Sequence, residues 1–426
     1  MPSDPVHRYR ILVVCPGSLG DLDPFLAIVR HLIAGGHQVT VATLYRNAAL
    51  VEAAGARFAP VHAPELAQAE EKLHAQIFLT PDRAMELFRR EILDRIPETV
   101  AMMRPLVAGH DLCVTQTMAY PAQIAAEAAG GPWLSAVLSP FDLPSRRVPA
   151  YAPPTPALRD LAPGQRMAFL HAFMQPYHQA RARSGLPPGP LPHATFSRQG
   201  VLALFSRHFV PDPGDWPKAV TTIGFCRHVA EPDPADWARA MAFVEAGPPP
   251  VVLTQGSHSA ILAGRFFQTA IAAARRLGQR VMTIGLPAAA VGAAEGPDLA
   301  CFARLPFGRI FPYVRAVVSH PGMGTMARAL EAGRPILAVP SAVSDQPDNA
   351  VRAHRLGAAI VLPLPAFSEE RATAALARLL GDARYGEAAR RVAQALAEEG
   401  DGAPRAAAAM LEACRRARSP AARAGA

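Results

Sequence analysis

The chain has 426 residues, more than one hydrophobic core organises, so two domains of roughly 200 residues each are expected. Half of the residues are apolar and 18% are charged, which excludes a disordered chain. The net charge of +8 would suit a phosphate-rich partner, but Lys72 and Lys218 are the only lysines and the arginines are scattered. With no basic run interleaved with aromatics, no nucleic-acid partner is expected.

His7, Arg8 and Arg10 precede a short apolar run that stops at Pro16 and Gly17, a pattern that does not read as a signal peptide. That run, Ile11 to Cys15, predicts a strand. Phe25, Ile28, Val29, Leu32 and Ile33 recur at helical spacing, Gly35 and Gly36 close the helix, and Val39 to Thr43 resumes a strand, completing a βαβ unit. Gly17-Ser-Leu-Gly-Asp-Leu-Asp-Pro24 lies between the first strand and the helix. It sets Asp21 and Asp23 at the carboxyl edge of a parallel sheet, where Asp21 is a candidate general base and helix capping is the competing role.

Residues 62–105 and 141–190 hold amphipathic pieces broken by prolines, and they are candidates for a pocket wall. Phe88, Phe141 and Phe173 are among their aromatics. From Val210 to Pro250 the prolines are so frequent that neither a long helix nor a central strand is expected, and this stretch reads as a linker. The uncharged run 246–264 contains three successive prolines and is not a membrane span.

A second βαβ unit follows. Val251 to Thr254 leads through Gly256-Ser257 into a helix carrying Phe266, Phe267, Ala270, Ile271, Ala274 and Leu277, then a strand from Val281 to Ile284. Two Rossmann-like domains of α/β class, each a doubly wound parallel sheet, are therefore predicted: 1–225, a linker 226–250, then 251–402, with a C-terminal helix and tail at 403–426. That last helix, Ala403 to Arg418, shows little apolar face and reads equally as a solvated tail or as a helix returning to the first domain. Five scattered cysteines with no CxxC pair suggest neither disulfides nor zinc and fit a reducing cytoplasm.

The densest chemical signal is Ala316-Val-Val-Ser-His-Pro-Gly-Met-Gly-Thr325, a buried strand ending in His320 and a glycine-rich turn into a helix expected at Met326 to Ala332. Free N–H groups and the positive dipole end there suit a diphosphate, and His320 adds a side-chain donor. Gly322 to Ala327 also matches a dinucleotide fingerprint. That reading needs an acid at the end of the next strand, where Pro340 and Ser341 stand instead. Asp345 and Gln346, in Ser344-Asp-Gln-Pro-Asp-Asn-Ala350, pair a carboxylate with a carboxamide suited to sugar hydroxyls, with capping as the plainer role.

Taken together, Gly-Ser-x-Gly-Asp-x-x-Pro, His-x-Gly-x-Gly-Thr and Asp-Gln-x-x-Asn-Ala resemble the bacterial branch of the UDP-glycosyltransferase superfamily, which has the GT-B fold. Thr254–Ser257, Asp215–Pro217, Thr222–Phe225 and Ser319–Gly322 are similar to rhamnolipid-type rhamnosyltransferases, with glycopeptide and sterol glycosyltransferases nearby. The resemblance implies that His320, Gly322, Gly324, Thr325 and Ser257 hold the donor diphosphate, that Asp345 and Gln346 hold the donor sugar, and that Asp21 is the base. It implies an inverting transfer of a hexose from a dTDP- or UDP-sugar, as co-substrate and without cofactor or metal, to an apolar hydroxylated acceptor held by Phe88, Phe141 and Phe173. A lipid acceptor would bring a cytoplasmic enzyme to the inner-membrane surface as a peripheral contact. Where many relatives have a Glu eight residues after the motif His, to read a ribose diol, this chain has Arg328, which fits a dTDP-sugar somewhat better. A nucleotide-sugar epimerase and a non-catalytic nucleotide-binding partner are the alternatives. The first should lack a roomy apolar pocket in the first domain, and the second should tolerate loss of Asp21.

Overall fold

The computed structural model describes residues 7–64, 81–151, 161–187, 189, 195–228, 230–256, 263–341 and 344–418. Their strands form two wholly parallel sheets. The first contains β1 (Arg10–Val14), β2 (Gln38–Thr43), β3 (Arg57–Pro60), β4 (Leu112–Gln116), β5 (Trp133–Val137), β6 (Val201–Ala203) and β7 (Val220–Thr222), in the order β3-β2-β1-β4-β5-β6-β7. The second contains β8 (Val251–Thr254), β9 (Val281–Ile284), β10 (Leu299–Phe302), β11 (Ala316–Ser319), β12 (Ile336–Ala338) and β13 (Ala359–Val361), in the order β10-β9-β8-β11-β12-β13. Strand order reverses between β1 and β4, and again between β8 and β11. Those switch points open the crevices in which doubly wound sheets take ligands.

Both faces of each sheet are covered, which is why the strands read as unbroken apolar runs. In β1, Ile11 and Val13 face the helix Leu19–Ala34, while Leu12 and Val14 face the opposite cluster with Met103 and Ala122. A third cluster runs from Val137, Phe205 and Phe209 of the first sheet layer into Val252, Phe311 and Met326 of the second, so the two layers share a continuous apolar seam.

One segment departs from the sequence reading, and for another the structure selects one of two equal readings. The linker holds a 12-residue helix, Pro234–Glu245, and β7 pairs at the sheet edge just before it. The prolines delimit that helix instead of breaking it: Pro234 occupies the first turn and Asp233 accepts from the Ala235 and Asp236 amides at 2.9 and 3.0 Å. The C-terminal helix, Ala403–Arg418, packs on Leu19–Ala34 and buries Ala403, Ala406, Ala407, Met410, Ala413 and Cys414. Four of those six residues are alanine, which allows close approach without standing out as an apolar face. No helix among the described residues is long and apolar enough to cross a membrane.

Candidate active site

The carboxyl ends of β1, β8 and β11 open onto one cleft of about 850 Å³ lined by both domains. Asp21, Phe88, His320, Gly322, Gly324, Thr325, Asp345 and Gln346 all line it. Ser257 lies outside the described residues, as do Phe78 and Leu79 in the expected pocket wall.

On the first domain, Gly17 and Ser18 bring Asp21 into the opening turn of Leu19–Ala34. The Asp21 Oδ2 accepts from the Ser18 amide at 2.7 Å and the Ser18 hydroxyl at 2.8 Å, so the capping role is real. A Cβ on Gly17 would stand 2.5 Å from that same oxygen, which is why glycine is required there. Oδ1 accepts nothing from the described residues. Burial pushes the Asp21 carboxyl above its ordinary range, and the bonds from Ser18 offset this only in part.

On the second domain the helix at the cradle is Met323–Glu331, starting three residues earlier than expected, with Gly322 at its N-cap. Gly324 and Thr325 thus sit in the first turn, where backbone N–H groups have no partner within the helix. The His320 ring lies between two glycines. A Cβ on Gly256 or Gly322 would come within 2.6 Å of it, and Gly256 also has φ of +55°. Burial pushes the His320 imidazole down to about 4, so at neutral pH it is uncharged and still offers one N–H. An added Cβ on Gly324 would be 3.5 Å from the Gly20 carbonyl oxygen, so the two glycine-rich turns meet backbone to backbone across the cleft.

Between them stand Asp345 and Gln346. Gln346 Oε1 accepts from the Ser341 amide and hydroxyl, both at 3.0 Å, which fixes the carboxamide with its nitrogen unspent on that contact. Asp345 is pushed up to about 6, first by burial and further by the Asp21 carboxylate. Asp142, in the turn Pro140–Asp142 after β5, feels the same carboxylates without lining the cleft. Burial and the carboxylates of Asp345, Asp21 and Asp348 push it up to about 7. Nothing in Ser139-Pro-Phe-Asp142 announces this setting; only the fold brings it near Asp345. A second unanticipated pair is His228 from the linker with Asp23, at 3.2 Å, both on the cleft wall.

Part of the first-domain wall is one face of the helical run 81–108: Phe88, Glu91, Ile92, Arg95, Thr99 and Met103. The π-helical turn Arg89–Leu93 is held by Arg89, which donates to the Ala172 and Phe173 carbonyls at 3.1 and 2.8 Å. Phe173 stacks behind Phe88 at 6.2 Å between ring centroids, and neither it nor Phe141 lines the cleft. The wall is therefore apolar with a polar band, the Glu91–Arg95 pair, across it. Arg328 lines the cleft too, with its guanidinium held by Glu331 at 2.6 Å and the Cys226 carbonyl at 3.0 Å. Among the described residues, no three His, Cys, Asp or Glu side chains are grouped to hold a metal ion.

Residues 284–413 match the family described as erythromycin biosynthesis protein CIII-like, C-terminal domain. The chain is 30% identical to glycosyltransferase GtfE of Amycolatopsis orientalis, over 87% of this chain and 90% of that protein. It is 29% identical to O-mycaminosyltylonolide 6-deoxyallosyltransferase of Streptomyces fradiae, over 92% of this chain and 94% of that one. The structure of glycosyltransferase VinC in complex with dTDP superposes with a TM-score of 0.65 at 20% identity, covering 96% of this chain and all of VinC, a likeness of fold. With two doubly wound sheets facing one cleft and a relative of this identity over nearly its whole length, the chain belongs to the UDP-glycosyltransferase superfamily and is a GT-B glycosyltransferase.

Proposed function

We propose that the protein transfers a hexose, with inversion, from a nucleoside diphosphate sugar to a hydroxyl of a largely apolar small molecule, a lipid or natural product. The observation that carries this reading is the meeting of Asp21 from one domain with His320, the Met323–Glu331 N-terminus, Asp345 and Gln346 from the other, around one cleft. In the reaction the acceptor oxygen attacks the anomeric carbon as its proton passes to the Asp21 carboxylate. The bond from that carbon to the diphosphate oxygen breaks in line, and the diphosphate leaves with the electron pair. A carboxyl whose proton affinity is raised by burial suits the proton transfer. The growing charge on the diphosphate falls where helix N–H groups and the neutral His320 N–H can receive it.

The thymidine form of the donor is favoured. Arg328 stands at the sequence position where the family resemblance puts a Glu that reads a ribose diol, and VinC, of the same fold, is described with dTDP. Leu44, Leu50, Val61, Phe88, Ile92 and Met118 support the apolar character of the acceptor. The test is nucleotide release and product structure across a panel of hydroxylated lipids, polyketides and sterols, with dTDP-rhamnose and UDP-glucose. Acceptor-dependent release with inverted anomeric configuration is expected. A product of retained configuration would overturn the single displacement.

A further inference from the structure

Asn349 lies at the centre of a buried junction for which neither the motif nor the proposed chemistry gives a reason. It is fully buried in the first turn of the helix Gln346–Arg355. Its Nδ2 donates to the Asp345 carboxylate at 2.7 Å and to the Pro321 carbonyl at 3.0 Å. Its Oδ1 accepts from the Ser139 hydroxyl at 3.0 Å, and Ser139 in turn accepts from the Phe141 amide at 3.3 Å. The amide orientation is fixed by chemistry, because the carbonyl and carboxylate can only accept. Pro321 belongs to the turn that carries His320, and Ser139 lies two residues past β5 of the first domain. One side chain therefore touches the diphosphate turn, the sugar carboxylate and the acceptor domain.

The local backbone supports a positioning role. Asp345 stands at the N-cap of that helix, yet its side chain makes no capping bond; its carboxylate is drawn to Asn349 one turn on. Ser344, just before it, has φ of +62°, the one positive value outside glycine among the described residues. Such a conformation persists only where the surroundings impose it. One residue before Asn349, Asp348 accepts from the Tyr151 amide at 2.8 Å while paired with Arg352 at 2.5 Å, a second tie from the first domain to the same helix start.

We propose that Asn349 is the positioning residue for the donor sugar: it aims the Asp345 carboxylate into the cleft and locks that aim to the diphosphate turn through Pro321 and to the acceptor domain through Ser139. The inference rests on the reading of Asp345 as the sugar ligand. It has a consequence in pH as well as in affinity. The titratable groups facing Asp345 are Asp21 across the cleft and Asp142 in the turn after β5, with the Asp348–Arg352 pair beside the helix start. The Asp21 carboxylate raises its proton affinity, and the Asn349 amide lowers it. Without that amide Asp345 holds its proton to higher pH, and sugar recognition by the charged carboxylate is lost earlier on acidification.

The experiment measures binding of dTDP, UDP and their sugar conjugates, and KM for the donor from pH 5 to 8, in the wild type, Asn349→Ala and Asp345→Asn. For Asn349→Ala, affinity for the free nucleoside diphosphate is expected to stay unchanged. Donor KM should rise roughly tenfold or more, in line with loss of a hydrogen bond to a charged group. The acid limb of the donor-KM profile should move to higher pH. If Asn349→Ala does not fold, Asn349→Ser, which keeps a donor of shorter reach, is read by the same criteria. An unchanged KM and pH profile in a folded variant overturns the proposal, as does an equal loss for nucleotide and nucleotide sugar, the mark of a merely structural part. If Asp345→Asn leaves donor binding intact, the failure lies with the sugar-ligand reading instead.

Discussion

His320 and Asp142 respond to burial in opposite ways, and each response is measurable. For His320, burial favours the neutral ring, so what it can bring to the proposed diphosphate contact at neutral pH is an N–H and not a positive charge. Removing one preorganised donor of this kind costs about 3 kcal/mol. His320→Ala should therefore weaken nucleoside diphosphate binding and slow turnover together, as read by calorimetry and steady-state rates; native values of both would refute the cradle. For Asp142 the carboxyl rises from 3.8 to about 7. The native state thus binds more protons than the unfolded chain between those values, and the stabilisation is complete below the lower one and lost as pH rises through the upper. Asp142→Asn removes that dependence. Its melting temperature relative to wild type should climb between pH 4 and pH 8, and a constant difference across that range would contradict the assigned burial.

Among the elements, the C-terminal helix is where composition misleads most. Residues 403, 406, 407, 410, 413 and 414 repeat with helical period, yet four of the six are alanine, so the stripe registers as weakly apolar although it is buried against Leu19–Ala34. Met410 is its one large side chain and is fully buried. Met410→Ala should lower unfolding stability by about 2–5 kcal/mol in urea titration, with catalytic constants unchanged under native conditions; a loss below about 1 kcal/mol would mean that the helix is only loosely docked. Both βαβ units were legible because their strands are buried on two faces and their glycines fall at element ends. The glycine-rich turn after His320 was legible as a strand-to-helix turn because its glycines stand between a buried apolar run and a helical one. The helix Pro234–Glu245 was hidden because prolines outside a helix and at its first turn look alike in sequence. The surroundings of Asp142 and Asn349 were hidden for a different reason. Asn349 was visible within its motif, but its partner Ser139 lies 210 residues away, and no local pattern encodes that distance.

At the scale of the whole molecule, the second domain supplies the groups suited to a diphosphate and a sugar, the first supplies Asp21 and an apolar wall, and the cleft joins them. The Ser139–Asn349 and Tyr151–Asp348 contacts and the shared apolar seam hold the two sides in register. The central claim is that this cleft carries out a direct transfer with Asp21 as base. Asp21→Asn retains size and an oxygen that can accept from Ser18, so the helix start survives while the proton acceptor is lost. The deciding measurement is acceptor-dependent release of nucleoside diphosphate by wild type and Asp21→Asn at saturating donor, with donor affinity determined alongside. The account predicts an unchanged donor affinity and a transfer rate reduced by roughly a hundredfold or more; near-native transfer by Asp21→Asn would show that Asp21 only caps its helix.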